Sequence, residues 1–367
     1  MSTERGEGRK GILRGMPSSS KLPPAPPTVE DAGGAPRFGT FQGGLDVVDL
    51  SRLRGSYQPN RVDRLRMHKK WLYGFIATRE VSVLFAVVDL GYSSNAFALA
   101  LDYASGQVLA DVGVLGLPAP LVKVNDHPGA GLDVDFRRPD ARLRAWRAFG
   151  DERFHGQVRL GVPWPLRKPS LELTWDLLAA GGPPPLTVIA PVEGGVVNVT
   201  QKWAGLLAFG ALEVEGRRYS LDGGVGGLDY THGYLARKTS WRWAFVCGRL
   251  DDGTPIGINL VEGFNESRDD VNENALWLGN ELIPLGRARF HWNRDNVLAP
   301  WRVTTTDGVL DLRFQPLAAH QELRDLKLVK SSFHQPVGLW QGEVKLGDRT
   351  HVLKDAPGVA EDQSVLW

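Results

Sequence analysis

The sequence predicts an all-β chain of two tandem antiparallel barrels. Short β-branched or aromatic runs recur along most of the chain, each ended by Gly, Asp-Gly or Asn. No segment of about 11 residues or more carries a helical stripe. The 367 residues exceed one ordinary core, and a Pro- and Gly-rich break falls near the middle.

Residues 1–36 hold six prolines among Ser, Gly and charges with no apolar periodicity, and read as a disordered N-terminal arm. Beyond it, Trp71–Ile76 and Val81–Val88 form a first strand pair, and Phe97–Leu101 follows after one turn. Leu132–Phe136 and Leu171–Trp175 alternate apolar with polar, the period of a half-buried strand. Ala180-Gly181-Gly182-Pro183-Pro184-Pro185, then Pro191 and Gly194-Gly195, stop both helix and central strand. The break divides the chain into residues 37–190, a first barrel, and 191–367, a second. Hairpin turns are predicted at Asp252-Gly253, Gly279-Asn280 and Asp307-Gly308. Closing each sheet on itself removes the exposed edges that so many strands would leave.

Composition excludes several functions. Lys plus Arg number 43 against 42 Asp plus Glu, so no global field draws the chain to nucleic acid or an anionic surface. No stretch approaches ~18 consecutive apolar residues, so no membrane span is expected. The first residues lack the apolar run of a secretory signal, and a cytoplasmic location is the expectation. The single Cys247 lies in an apolar run without a neighbouring cation and reads as an inert core thiol. There is no nucleophile elbow, phosphate loop, dinucleotide fingerprint or His-Glu-x-x-His helix, so neither cofactor nor metal is expected.

Chemically capable residues are densest between 226 and 277. Trp241, Trp243 and Phe245 share one face of a strand while Arg242 points the other way. The tryptophans are either sheet packing or the aromatic wall of a cavity, and inside a barrel these coincide. Asp229 and His232, three apart in a Gly-rich turn before that strand, are the candidate catalytic pair, with the carboxylate orienting an imidazole that titrates near ~6.5. Ordinary turn bonding by the Asp and a His satisfying a carbonyl would look the same. Tyr230, Tyr234, Arg237, Trp241, Trp243, Asn259, Glu262, Asn265, Glu273 and Trp277 are the candidate ligand-binding residues. The run Asn265–Asn274 is rich in oxygen ligands but lacks EF-hand spacing, and reads as a solvated connection.

From Asp229-Tyr230-Thr231-His232-Gly233-Tyr234 through Arg237, Trp241-Arg242-Trp243, Gly257-Ile258-Asn259-Leu260, Glu273-Asn274 and Trp277, the chain resembles the bacterial family called domain of unknown function 2804. Gln201-Lys202, Asp311–Pro316, Gln335–Gly338 and Asp89–Tyr92 extend the resemblance over everything but the arm. That family is similar, distantly, to the calycin-like (lipocalin-like) tandem barrels of carotenoid hydratases, tocopherol cyclases and Diels–Alderases, which enclose polyene or terpenoid substrates without a redox cofactor. The resemblance implies the barrel architecture. Carotenoid hydratases carry an Asp-His pair ahead of an aromatic strand, whereas here Tyr230 and Thr231 separate Asp229 from His232.

Three functions compete. The leading one is a binding protein, or an enzyme poised by shape and a few polar groups, for a hydrophobic lipid-like or isoprenoid molecule held in the second barrel. The next is a cofactor-free hydratase, lyase or cyclase using Asp229 or His232 with Trp241 and Trp243. The third is a scaffold whose barrels bury only side chains. An enclosed volume of ~300 Å³ or more reaching His232 would favour a ligand, and filled barrels a scaffold.

Overall fold

The computed structural model describes residues 21–161, 171–325 and 330–367, and nearly all of its regular structure lies in two antiparallel sheets that form barrels or half-barrels. Among the described residues the first sheet has fourteen strands and the second nine. The predicted strands are all present, at His68–Ala77, Val81–Asp89, Ser94–Asp102, Asp133–Arg138 and Leu171–Leu178. Turns stand at the three predicted hairpins, with Gly253, Gly279 and Gly308 at positive φ. The α-helix Arg61–Met67 is a single short piece capped by Asn60, whose side chain accepts from the Asp63 backbone N–H.

The first sheet runs outward from its centre, where His68–Ala77 pairs with Gly224–Tyr234 and the latter with Val197–Val214. Its two ends curl together, and Arg138 on Asp133–Arg138 donates to the Leu115 carbonyl on Gln107–Gly116. The second sheet is centred on Lys238–Arg249, Arg349–Leu366 and Lys330–Leu346. It curls until Glu262 accepts from the Phe290 backbone N–H at 3.2 Å, joining Pro255–Glu262 to Ala288–His291.

Sheet membership moves the predicted boundary. Val197–Val214 and Gly224–Tyr234 belong to the first sheet, and the second begins at Lys238, so the change of sheet falls at 235–237 rather than at 190. The triple proline at 183–185 interrupts a strand, not a sheet: Leu171–Leu178 before it and Leu186–Pro191 after it both pair with the long Val197–Val214 strand.

The predicted arm also divides. Residues 1–20 lie outside the described residues, but 21–36 are folded against the first sheet. Ala25 N–H donates to the Gln42 carbonyl at 2.9 Å, and Val29 is 1% exposed within the first barrel's core. A proline-rich segment without periodicity still buries apolar surface when it lies along an edge strand, here Gly39–Gln42.

Three apolar cores result. One fills the first barrel, where Phe85 stacks on Trp175 at 5.1 Å. One fills the second, where Phe314 stacks on Trp340 at 4.6 Å. The third lies between the barrels, built from the faces that point away from both interiors. Close approach of the two backbones depends on Gly257, where a Cβ would lie 2.5 Å from Ala204 Cβ.

Candidate functional site

Between the barrels, within the third core, a half-enclosed cleft of about 170 Å³ opens. Strand parity builds it. His68–Ala77 contributes Trp71 and Tyr73, Val197–Val214 contributes Asn198 and Lys202, and Gly224–Tyr234 contributes Asp229 and Thr231. Facing them, Lys238–Arg249 contributes Trp241 and Trp243, while Arg349–Leu366 contributes Glu361 and Gln363. In each case side chains two or four apart share the face, as the pleat requires. Trp71 and Trp241 lie nearly parallel at 6.3 Å, Tyr73 meets Trp243 edge-on at 5.0 Å, and Phe264 lies 5.4 Å from Trp241. Such offset and edge-to-face pairs suit the ring quadrupoles and make a stiff aromatic wall.

A buried ionic network crosses the cleft floor. Lys202 Nζ donates to Asp229 Oδ2 at 2.7 Å and lies 3.3 Å from Glu273 Oε2. Thr200 Oγ1 donates to the other Asp229 oxygen at 3.1 Å, and Asn265 Nδ2 to Glu273 Oε1 at 2.9 Å. Trp243 Nε1 donates to Asn259 Oδ1 at 2.7 Å, and the Asn259 amide then donates to the Glu273 carbonyl at 2.7 Å. Glu361 receives two donors, Trp241 Nε1 and Gln335 Nε2, each at 2.6 Å.

One lysine serves two carboxylates, and the titration behaviour follows from that. Burial would lower Lys202, but Asp229 and Glu273 outweigh it and hold the ammonium protonated. Glu273 is raised by burial and by Asp229 against the pull of the shared Lys202. Among the described residues Glu361 has no cation of its own. Burial pushes it up to about 7, with Asp229 adding to the rise, although Trp241, Gln335 and Lys202 draw it back. A carboxyl that changes protonation near neutrality beside an aromatic wall is equipped to give or take a proton.

The structure unites part of the predicted set. Asp229, Trp241, Trp243 and Glu273 line the cleft, and Asn259 and Asn265 anchor the wall and Glu273 from behind. Trp277 packs between the barrels, its Nε1 donating to the Pro184 carbonyl at 2.9 Å, without lining the cleft. Glu262 has the opposite parity and joins Arg242 at 3.4 Å and Arg289 at 3.6 Å. Arg237 is exposed in the connection between the sheets, its carbonyl accepting from the Trp367 backbone N–H.

The Asp229–His232 pair does not form. The predicted turn is a buried strand, Gly224–Tyr234, and residues three apart on a strand face opposite sides. Tyr230, His232 and Tyr234 therefore point into the first barrel, where Tyr230 donates to the Asn125 carbonyl at 2.8 Å. His232 Nε2 lies 2.8 Å from His68 Nε2, and burial, then Lys70 and His68, push its pKa well below the ordinary imidazole value. It is a neutral imidazole, not one titrating near 6.5 under Asp229. The glycines that suggested a turn are there for packing: a Cβ on Gly227 would sit 2.1 Å from the Trp203 carbonyl oxygen.

Other expectations fare differently. The cavity lies between the barrels rather than within the second, is smaller than the anticipated volume and is not lined by His232, so the barrel interiors, packed with side chains, match the scaffold reading and the cleft between them is what is left for a ligand. Cys247 is buried with its thiol pushed up to about 12, an inert core residue as read. Residues 265–274 form an irregular connection whose ends, Asn265 and Glu273, turn in toward the cleft. No group of three or more His, Cys, Asp or Glu is placed to hold a metal among the described residues. No helix of the described residues is long and apolar enough to cross a membrane.

Lys202, Glu361, Trp71 and Tyr73 escaped sequence reasoning as site residues. A faint signal existed, because Lys202 and Glu361 each occupy the apolar phase of their strand, Lys202 in step with Ala204 and Glu361 with Val359 and Val365.

Kievitone hydratase from Nectria haematococca is a similar solved structure, at 13% identity, with 95% of this chain and 98% of that one covered and a TM-score of 0.49. CghA is another, at 13% identity, 90% and 99% coverage and a TM-score of 0.48. No curated protein matches the chain. A profile of one family matches residues 25–367, and the chain therefore belongs to the family described as Domain of unknown function (DUF2804).

Proposed function

We propose that the inter-barrel cleft binds a small hydrophobic molecule and that Glu361 handles a proton on it. The observation that carries the reading is the aromatic-walled, half-enclosed cleft whose buried polar groups converge on one side. Mostly apolar walls with a few placed polar groups are the usual make-up of a ligand site. Shape and apolar area would supply affinity, and the Lys202–Asp229–Glu273 network would fix orientation. Nothing in the cleft needs His232.

A specific feature favours chemistry as well as binding. Glu361 is populated in both protonation states near neutral pH, is held by two donors, and sits at the N–H edge of Trp241 within the aromatic wall. Hydration, elimination or cyclisation without a cofactor fits those parts, with Glu361 in the role expected of Asp229 or His232.

The test compares small molecules extracted from the protein purified from its own host with those from Val88→Phe, which fills the cleft from a half-buried lining position. An apolar compound is expected with the parent and should be absent from a variant of unchanged circular dichroism. The same compound in both, or none in either, would overturn the reading.

A further inference from the structure

The cleft opens at one end of the strands that line it. Register layers the lining: Tyr73, Ala86 and Phe97 stand side by side with Trp243 and Glu361 facing them, and one step outward Trp71, Val88 and Asn95 face Trp241 and Gln363. Tyr73, Phe97 and Trp243 are buried, whereas Trp71, Asn95 and Trp241 are half-buried. Leu90, Ser331 and Trp367, also half-buried, lie further out in the same direction, where the lining strands end. The helix Arg61–Met67 runs into His68–Ala77 at this end. Buried Lys69 fixes it there: its Nζ donates to the Arg66 carbonyl at 2.5 Å and the Leu90 carbonyl at 3.2 Å, and stands 5.0 Å from the Tyr92 ring centre and 5.6 Å from that of Trp367.

Exposed apolar side chains gather around that end. Val62 and Leu65 on the helix are 60% and 59% exposed, and Leu115 and Leu117, at the end of Gln107–Gly116 and just beyond it, are 51% and 65% exposed. Leu115 stands directly opposite Asn95 and so shares its cleft-side face, and Ser94 Oγ donates to the Leu117 carbonyl at 2.6 Å. Single exposed leucines are ordinary, but several around one opening are not. The helix adds charge in a set order. At about 100° per residue Val62 and Leu65 share a face, Arg61 and Arg66 flank it, and Asp63 lies on the far side, where it accepts from the Asn60 amide at 2.7 Å. Among the described residues no carboxylate pairs with Arg61, Arg64 or Arg66, and all three are exposed.

We infer that this end docks on an anionic lipid bilayer, with Val62, Leu65, Leu115 and Leu117 at the boundary between headgroups and acyl chains and the helix arginines on lipid phosphates. An apolar face bordered by arginine suits that boundary: the apolar side chains gain from leaving water, and the guanidinium fork matches a phosphate. The net charge of +1 creates no long-range field, so the attraction is local to this rim. A second copy is the poorer occupant, because a two-fold contact through the same face would set arginine against arginine. On the ligand-binding reading above, docking places the mouth of the cleft against lipid, and an apolar molecule passes between bilayer and cleft without crossing water.

The test is co-sedimentation of the full chain, without added ligand, with vesicles of phosphatidylcholine alone and of phosphatidylcholine mixed equally with phosphatidylglycerol. The mixed vesicles are expected to bind about tenfold more tightly at low salt, and the advantage should shrink as salt is added. Leu65→Glu, at an exposed position, should weaken binding about tenfold with unchanged circular dichroism, and Arg61→Gln combined with Arg66→Gln should remove most of the preference for mixed vesicles. Val352→Glu, exposed toward the opposite end of the strand Arg349–Leu366, should bind as the parent does. Neutral vesicles bound as tightly as mixed ones, no binding to either, Leu65→Glu binding like the parent, or Val352→Glu losing as much as Leu65→Glu would each overturn the docking, and so would a preference unchanged in the double arginine variant. A concentration-dependent dimer that Leu65→Glu dissociates would overturn it in favour of a second copy. Each of these outcomes leaves the comparison of molecules extracted from the parent and from Val88→Phe to decide the ligand-binding reading by itself.

Discussion

Glu361→Gln should make the protein more stable, and the gain should depend on pH. The wild-type carboxyl is raised from its ordinary 4.5 to about 7, chiefly by burial. Between those values the folded state holds a proton that the unfolded state has released, so wild-type stability falls as pH rises through the interval and levels off above about 7. At about 1.4 kcal/mol per pH unit, the interval from 4.5 to about 7 amounts to about 3 kcal/mol, most of it lost between pH 5 and 8. Glutamine removes that loss and keeps the local bonds. It accepts from Trp241 Nε1 through its oxygen, while a flip of the Gln335 amide turns that residue's unpartnered oxygen toward the new NH₂. Urea unfolding of both proteins at pH 5 and pH 8, followed by tryptophan fluorescence, measures the effect, and other titrating groups cancel in the difference. Glu361→Gln should gain about 2 to 3 kcal/mol on wild type at pH 8 beyond its difference at pH 5. Equal differences at the two pH values would show that Glu361 ionises in the folded protein as it does in the unfolded chain, and the proton-handling role would go with it.

Lys202→Met should act in the opposite direction, because it leaves Asp229 and Glu273 buried without their cation; a loss of about 3 to 5 kcal/mol is expected at pH 8, and one no smaller at pH 5 would refute the account. His232→Ala should leave ligand retention unchanged, since the imidazole faces the first barrel's interior; loss of the ligand from a folded variant would return His232 to the site. Removing residues 1–36 should lower the thermal midpoint by several degrees relative to removing residues 1–20, because Val29 leaves its buried position; equal midpoints would mean that the segment contributes nothing.

Much of the fold was readable because strand signals are local. The period of two in Leu171–Trp175, the glycine turns and the missing helical stripe each concern residues near one another in sequence. The boundary was not readable. A triple proline announces where a strand stops, whereas the sheet a strand joins depends on partners far along the chain, as Val197–Val214 shows by pairing back to Leu171–Leu178. Parity placed Trp241, Trp243 and Phe245 on one face correctly, but nothing local says what covers that face. Ala244 and Val246 on the other face are just as buried, because the strand has the barrel interior on one side and the other barrel on its back.

That two-sided burial is also why the partners of Asp229 are not legible from spacing within its own strand. In a strand wet on one face, a charged residue on the wet side is unremarkable; in a strand dry on both, every charged side chain needs a partner. Gly224–Tyr234 is dry throughout, so Asp229 requires a cation, and the one that meets it, Lys202, arrives on the neighbouring Val197–Val214 strand. Lys202 stands directly opposite Asp229 in the register, so the pair follows from the pairing of the two strands and not from spacing within either. Glu361 obeys the same rule with a different outcome. Its cross-strand neighbour is Trp243, which offers no charge, so the carboxyl takes N–H donors from Trp241 and Gln335 and keeps a proton near neutral pH. Register thus decides which buried acid is neutralised by a lysine and which is left to N–H donors, and in this chain it leaves Glu361 to them.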